Sequence, residues 1–225
     1  MINQKLDAQS GYYSLFRSEL TPFFEGFDGS VLDVGCGSGE LLKYLKKQGA
    51  RRTIGLEMRS DVADALRQSE TVDEVLSLDI EAEDLPVPPE SLDAIVVSHV
   101  LEHMVNPWRV LRKLHRCLKS DGILIGALPN VRHISVVGNL LLRGRWQYTE
   151  SGILDVTHLR FFTRHSAAVL LHSSGFAVEV LKPEISGPRA SFISAVSLGS
   201  LNDLVTYAYN FRCRKVDPAP GSAPM

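Results

Sequence analysis

Apolar positions fall into two rhythms along this chain. Short, nearly continuous apolar runs alternate with stretches in which apolar residues return every three or four positions. Residues 31–34 form the first run and end in glycines, the mark of a buried strand. Residues 40–48 follow with Leu41, Leu42, Tyr44 and Leu45 on one helical face and Lys43, Lys46 and Lys47 on the other, stopped by Gly49. Residues 53–56 read as a second strand, 61–68 as a helix with Ser60 as N-cap, and 75–78 as a third strand. Residues 92–97 are almost wholly apolar, which predicts a strand buried on both faces of a parallel sheet.

Asn106 and Pro107 then start a helix by N-cap and N1 chemistry, Asp121-Gly122 ends it, and 123–128 is the fifth strand. The alternation pauses over residues 130–162, where one apolar helix-like patch at 136–142 precedes a run of glycines, aromatics and basic residues. A helix returns at 164–173, capped by Thr163 and stopped by Gly175, and 176–181 is a sixth strand. Tyr207, Tyr209, Phe211 and Cys213 alternate with Ala208, Asn210, Arg212 and Arg214, which predicts an antiparallel seventh strand with one wet face. Strand alternating with helix predicts a doubly wound α/β sheet.

Composition narrows the class. The chain has 225 residues, 44% hydrophobic and 22% charged, which excludes collagen-like, coiled-coil and disordered chains. The net charge of -2 lacks the basic excess of a duplex-binding protein, so no nucleic-acid partner is expected. Cys36, Cys117 and Cys213 have no close spacing, so neither a disulfide framework nor a zinc site is expected and a reducing compartment fits. The first ten residues lack the apolar core of a signal peptide, and no apolar run is long enough to cross a bilayer. A cytoplasmic protein with no membrane span is expected. Residues 1–216 read as one domain with 130–162 as an insert, and the Pro-, Ala- and Gly-rich stretch 217–225 as a disordered tail.

The sharpest chemical signal is Val31-Leu32-Asp33-Val34-Gly35-Cys36-Gly37-Ser38-Gly39, a strand running through a glycine turn into a helix. Glycines permit positive φ and let a ligand approach the backbone. A dinucleotide site would need a glycine where Glu40 stands, and Asp33 would repel a pyrophosphate, so a nicotinamide-dependent oxidoreductase is disfavoured. A cofactor with positive charge and no phosphate suits the turn better. Glu57, ending the second strand, can accept hydrogen bonds from both ribose hydroxyls. Asp79, ending the third strand, could accept the amine of an adenine flanked by Ile80.

This set, with DVGCGSG at 33–39, Glu57, Asp79-Ile80 and SHVLEHMVNP at 98–107, resembles the class I S-adenosylmethionine-dependent methyltransferases. The resemblance spans roughly residues 31–181. It implies a Rossmann-like seven-stranded sheet in the order 3-2-1-4-5-7-6 and S-adenosyl-L-methionine as cofactor. It also implies a cofactor set of Asp33, Gly35, Cys36, Gly37, Gly39, Glu57, Met58, Asp79, Ile80, Ser98 and His99, with Tyr12 and Tyr13 closing over the pocket. DNA amino-methyltransferases carry an Asx-Pro-Pro-aromatic motif where this chain has Ser98-His99-Val100-Leu101, and protein arginine methyltransferases carry paired glutamates where it has only Glu102.

The insert should carry acceptor specificity, because ligands of such sheets bind outside the carboxyl ends of the strands. Between residues 131 and 165 stand five arginines (132, 143, 145, 160, 164) against Glu150 and Asp155. Arg132, Arg145, Trp146, Tyr148 and Arg160 are the expected substrate-binding residues, suited to a ring and an anionic group. The segment Gly144-Arg145-Trp146 to Asp155-x-Thr157-His158-Leu159-Arg160-Phe161-Phe162-Thr163 resembles a bacterial methyltransferase subgroup of cell-surface sugar pathways, related to MetW-like proteins. That implies O-methylation of a sugar or sugar nucleotide, a small and anionic acceptor; the alternative is an accessory partner of an acyltransferase in methionine biosynthesis. Transfer to a hydroxyl needs a base. His158, oriented by Asp155, is the first expectation and His103, beside Glu102, the second; no metal-ligand cluster is visible in the sequence.

Overall fold

The structure, a computed structural model, describes residues 16–185 and 187–216; the expectations for Tyr12, Tyr13 and the stretch 217–225 lie outside them. Strands β1 (Ser30–Val34), β2 (Arg52–Leu56), β3 (Glu74–Leu76), β4 (Leu92–Ser98), β5 (Leu118–Pro129), β6 (Phe176–Glu184) and β7 (Ala208–Lys215) form one sheet in the order β3-β2-β1-β4-β5-β7-β6. The first five pair in parallel, and β7 runs antiparallel between β5 and β6. The seven-stranded doubly wound sheet expected from the sequence is thus present.

Side-chain alternation builds a core on each face. Leu32, Ile95, Val97 and Leu124 point to one layer and Val31, Ala94, Val96, Ile123 and Ile125 to the other. Burial of β4 on both faces follows from this central position. Helix α1 (Glu40–Lys47) and the 3-10 segment Ser18–Phe24 cover one face. Helices α3 (Pro107–Cys117) and α5 (Arg164–Ser173) cover the other, through Val110, Leu111, Leu114, Leu170 and Leu171. Helix α2 (Ser60–Gln68) joins β2 to β3. The caps read from the sequence hold α3 and α5: Asn106 Oδ1 accepts from the Arg109 amide at 3.0 Å, and Thr163 and Ser166 form a reciprocal capping box.

Several details differ from these expectations. Helix α3 ends at Cys117 rather than at Asp121-Gly122, because Leu118 already pairs with Leu92 while residues 119–122 bulge out opposite Asp93, whose Oδ1 holds Lys119 Nζ at 2.5 Å. Ser60 is the first residue of α2, and Arg59 holds the N-cap position. Strand β3, an edge strand, stops at Leu76, so Asp79 lies in the following turn instead of ending the strand. The alternate face of β7 is wet only at its far end, because the 3-10 segment Ser18–Phe24 packs against β5 and β7: Arg214 is exposed but Asn210 is 4% exposed. The apolar patch of the insert is helix α4 (Ile134–Arg143), and two further helices, α6 (Pro188–Val196) and α7 (Asn202–Val205), link β6 to β7. No helix among the described residues is long and apolar enough to cross a membrane.

Candidate functional site

The carboxyl ends of β1, β2 and β4 meet at the glycine turn. Gly35, Gly37 and Gly39 have φ of 70°, 54° and 75°, a region that side chains with a Cβ enter only under strain. The turn is held to the end of β2: the amides of Gly35 and Cys36 donate to the Leu56 carbonyl at 2.7 and 3.1 Å. Glu57, buried one residue further on, accepts from the Gly37 amide at 3.1 Å through Oε2 and from the Arg59 amide at 3.0 Å through Oε1. These two bonds aim the carboxylate while leaving each oxygen a further lone pair. A Cβ on Gly35 would come within 2.9 Å of Val100 Cγ2, so the turn also abuts the loop that leaves β4.

Below the turn, burial raises the Asp33 carboxyl to about 7; Arg17 opposes the shift and Glu57 adds to it. A buried acid beside a second acid, under a turn open to backbone approach, suits a ligand that brings a positive centre and hydroxyls and no phosphate. Burial likewise pushes the Cys36 thiol up, so this cysteine is a packing residue rather than a thiolate.

Asp79 is half-buried, and its Oδ1 accepts from the Glu81 amide at 2.8 Å. Ile80 is buried in the core. The turn carrying both is pinned by Lys113, whose buried Nζ donates to the carbonyls of Ile80 at 2.9 Å and Glu83 at 2.7 Å. Met58, which follows Glu57, is 67% exposed.

At the end of β4 the backbone tightens. His99 sits at φ 54°, unusual for a residue with a side chain. Its Nδ1 lies 3.2 Å from Glu102 Oε1. Ser98 Oγ and Glu102 Oε2 are buried with no hydrogen-bond partner among the described residues. The far end of the insert is stapled here: the Leu159 and Arg160 amides donate to the Glu102 carbonyl at 2.8 and 2.9 Å, and the Arg160 guanidinium binds the Val105 carbonyl. This docking brings His158 onto His103, with ring centroids 4.7 Å apart and planes at 76°. Burial lowers the His103 pKa, against the pull of Glu102, so its ring is a neutral imidazole at neutral pH.

Several expectations are corrected by these contacts. Asp155 does not orient the His158 ring. His158 Nδ1 meets the Ile153 carbonyl at 2.9 Å, and Asp155 Oδ1 is taken by the Thr157 amide and hydroxyl at 2.8 and 2.7 Å, the usual Asx-turn geometry. The insert's arginines are not all unengaged. Arg132 pairs with Asp203 at 2.9 Å and Arg160 braces the β4 loop, so both fix the insert in place. Arg145 has no side-chain partner among the described residues and lies beside Trp146, which is 39% exposed and packs edge-on against Phe161 at 5.2 Å. Tyr148 leans on the same ring at 6.3 Å. The sequence did not show Glu102 as the partner of His99, or Lys113 as the anchor of the Asp79 turn. Glu102 was visible only as a neighbour of His103.

A family model described as a methyltransferase domain matches residues 9–181. Human mitochondrial arginine-hydroxylase NDUFAF5 is 40% identical over 101 residues, which are 44% of this chain and 28% of that protein. The ubiquinone biosynthesis O-methyltransferase of Pseudomonas syringae pv. tomato is 38% identical over 126 residues, 51% of this chain and 54% of the relative. The chain thus spans from about a quarter to about half of the length of these curated relatives. A solved structure, a SAM-dependent methyltransferase from Archaeoglobus fulgidus, shares the fold at TM-score 0.63 and 20% identity, covering 88% of this chain and 92% of that one. With the sheet order, the glycine turn and a family match over most of its length, this chain belongs to the methyltransferase-domain family.

Proposed function

We propose that the chain moves the methyl group of S-adenosylmethionine to a hydroxyl oxygen of a small acceptor, with residues 1–216 acting as one domain and 130–162 as the acceptor lid. The observation that carries this reading is the meeting, across Val100, of the Gly35–Gly39 turn and its acids with the polar centre Glu102, His103 and His158. The residues present suit the cofactor. Gly35, Cys36, Gly37 and Gly39 would lie along its methionine part over Asp33, Glu57 would take the ribose hydroxyls, and Asp79 with Ile80 and Met58 would take the adenine. Ser98 and His99 would face the sulfur. The cofactor supplies a methyl already activated by the sulfonium.

The chain's own share is alignment and the acceptor's proton. Each histidine has its Nδ1 beside an oxygen, so in the neutral tautomer this favours, Nε2 is a lone pair able to take a hydroxyl proton. The aromatic group Trp146, Tyr148 and Phe161 with Arg145 supports a ring-bearing, anionic acceptor such as a sugar nucleotide. The subgroup resemblance in residues 144–163 supports the same acceptor. A second reading, an acceptor from ubiquinone biosynthesis, is favoured by the name of the relative that is 38% identical. The accessory, MetW-like reading has weaker support, since a non-catalytic partner has no use for the paired histidines beside a buried glutamate.

The test is methyl transfer from labelled cofactor to sugar nucleotides and to ring-hydroxylated acids, with calorimetry for the cofactor, its demethylated product and NAD. Tighter binding of NAD, or no transfer to any hydroxylated acceptor, sinks the reading. Glu57→Ala is expected to weaken cofactor binding by about 1–3 kcal/mol, read in the same calorimeter, because it removes a charged acceptor from two hydroxyls. Glu57→Gln keeps the bonding to the turn in part and should lose less. Arg145→Ala should raise the acceptor KM by about tenfold, the loss of one charge-assisted hydrogen bond, with cofactor affinity unchanged. A silent Arg145→Ala would remove the anion from the acceptor's description.

A further inference from the structure

We infer that Glu102, His103 and His158 form the binding site for one divalent first-row transition-metal ion. One ligand atom from each lies within 4.8 Å of the other two. Two imidazoles and one carboxylate are a donor set suited to zinc, manganese, iron or cobalt rather than to magnesium or calcium, which prefer oxygen alone.

Three features of the cluster exceed what packing requires. First, Glu102 is 1% exposed, and its Oε2 has no hydrogen-bond partner among the described residues. An orphaned buried carboxylate oxygen is costly, and a cation between it and the two rings removes that cost. Second, both rings are held as metal ligands usually are. His158 Nδ1 donates to the Ile153 carbonyl at 2.9 Å, and His103 Nδ1 meets the Thr157 carbonyl at 3.3 Å and hydroxyl at 3.0 Å. An oxygen on Nδ1 fixes the tautomer and leaves Nε2 as the free lone pair. Third, the support extends outward: the Thr157 hydroxyl donates to Asp155 Oδ1 at 2.7 Å, which leaves its lone pairs for the His103 N–H. The role of Asp155 is therefore at one remove, through Thr157, and on His103 rather than His158.

Metal bonds of about 2.0–2.2 Å would bring the three ligand atoms to about 3–3.5 Å from one another, a change within reach of small side-chain rotations. His99, 3.2 Å from Glu102 Oε1, stands on the other side of the carboxylate and can follow it as a fourth ligand or as its hydrogen-bond donor. Three protein ligands leave positions open for an acceptor oxygen. The catalytic use of the ion rests on the methyl-transfer reading above, whereas its binding does not. In that use the acceptor hydroxyl oxygen binds the ion and its O–H proton passes to solvent. The oxygen then forms the C–O bond as the C–S bond breaks, and sulfur keeps the electron pair.

The test uses the full chain, stripped with chelator and dialysed, then titrated with Co²⁺. Calorimetry should give one ion per chain, and visible absorption should show the ligand-field bands of bound cobalt. Glu102→Gln, His103→Ala and His158→Ala should each weaken Co²⁺ binding by at least about 100-fold, and Thr157→Val by about tenfold through loss of the outer hydrogen bond. Cofactor binding and melting temperature, measured on the same samples, identify any variant that has failed to fold. Absence of Co²⁺, Zn²⁺ and Mn²⁺ binding by the wild type overturns the inference, as does binding by folded His103→Ala and His158→Ala at wild-type strength. Cobalt bound at this site without methyl transfer to any acceptor would fail the activity reading and leave the metal site standing. Methyl transfer that survives chelation, in a chain that binds no metal, would do the reverse.

Discussion

His158→Gln is expected to lower kcat by about 10²–10⁴-fold while cofactor affinity stays at the wild-type value, the usual range for loss of a group that handles the reacting proton. Glutamine is the informative replacement. Its amide N–H can still donate to the Ile153 carbonyl that holds the ring, 2.9 Å from Nδ1, so the loop 153–158 keeps its anchor. What it lacks is the unprotonated Nε2 lone pair. The loss follows equally when that lone pair holds a metal ion, and addition of Mn²⁺ or Co²⁺ in the assay separates the two uses. His103→Gln should cost less, since its ring is the more exposed of the pair and is held by the longer bonds to Thr157. Single-turnover rates with saturating cofactor are the measurement. A loss under about tenfold in His158→Gln, with a larger one in His103→Gln, moves the proton to His103. Silence from both points to an acceptor already ionised, such as a carboxylate.

The sheet was legible because its central strands are buried on both faces, which leaves a nearly unbroken apolar run that few other environments produce. The run at 92–97 and the strand ending in Gly35 are of this kind. Helix starts were legible where a side chain does the capping, as at Asn106 and Thr163. The bulge at 119–122 was not, because Asp121-Gly122 satisfies the rules for a helix stop and for a strand bulge equally. Helices α6 and α7 were missed because their apolar residues show no side: Phe192, Val196 and Leu201 of this stretch remain exposed. In the site, the glycine turn and Glu57 could be read from the glycine spacing and from an acid at a strand end, although the bond that joins them spans 20 residues. The pairing of His158 with His103 could not. It exists because the Glu102 carbonyl captures the amides of Leu159 and Arg160, a contact that only the folded insert creates. The partners of Arg132 and Arg160 were not legible for the same reason: they are Asp203 and the Val105 carbonyl, remote in sequence.

Asp33 carries the largest expected dependence on pH. Its folded-state pKa of about 7 stands well above the ordinary carboxylate value, and the first cause is burial. Between about pH 4 and pH 7 the folded chain therefore holds a proton that the unfolded chain has lost, so the folded state binds more protons across this window. Its contribution to stability is fully present below pH 4 and is lost as pH rises through about 7. At about 1.4 kcal/mol per unit the loss amounts to about 4 kcal/mol. Asp33→Asn abolishes it: the variant should match the wild type near pH 4 and exceed it in stability by up to about 4 kcal/mol at pH 8, read from denaturant midpoints. The same acid explains why the chain keeps so costly a group. A ligand whose sulfonium and ammonium carry positive charge favours the ionised carboxylate, so binding below pH 7 releases a proton and cofactor affinity should climb toward neutrality. Calorimetry in two buffers of different ionisation enthalpy counts that proton. In Asp33→Asn the count should fall to zero and the affinity should drop at pH 8, giving a more stable chain that binds its cofactor less well. Equal pH slopes for the variant and the wild type would show that Asp33 ionises in the folded state as it does in water, and would remove it from the cofactor's charge balance.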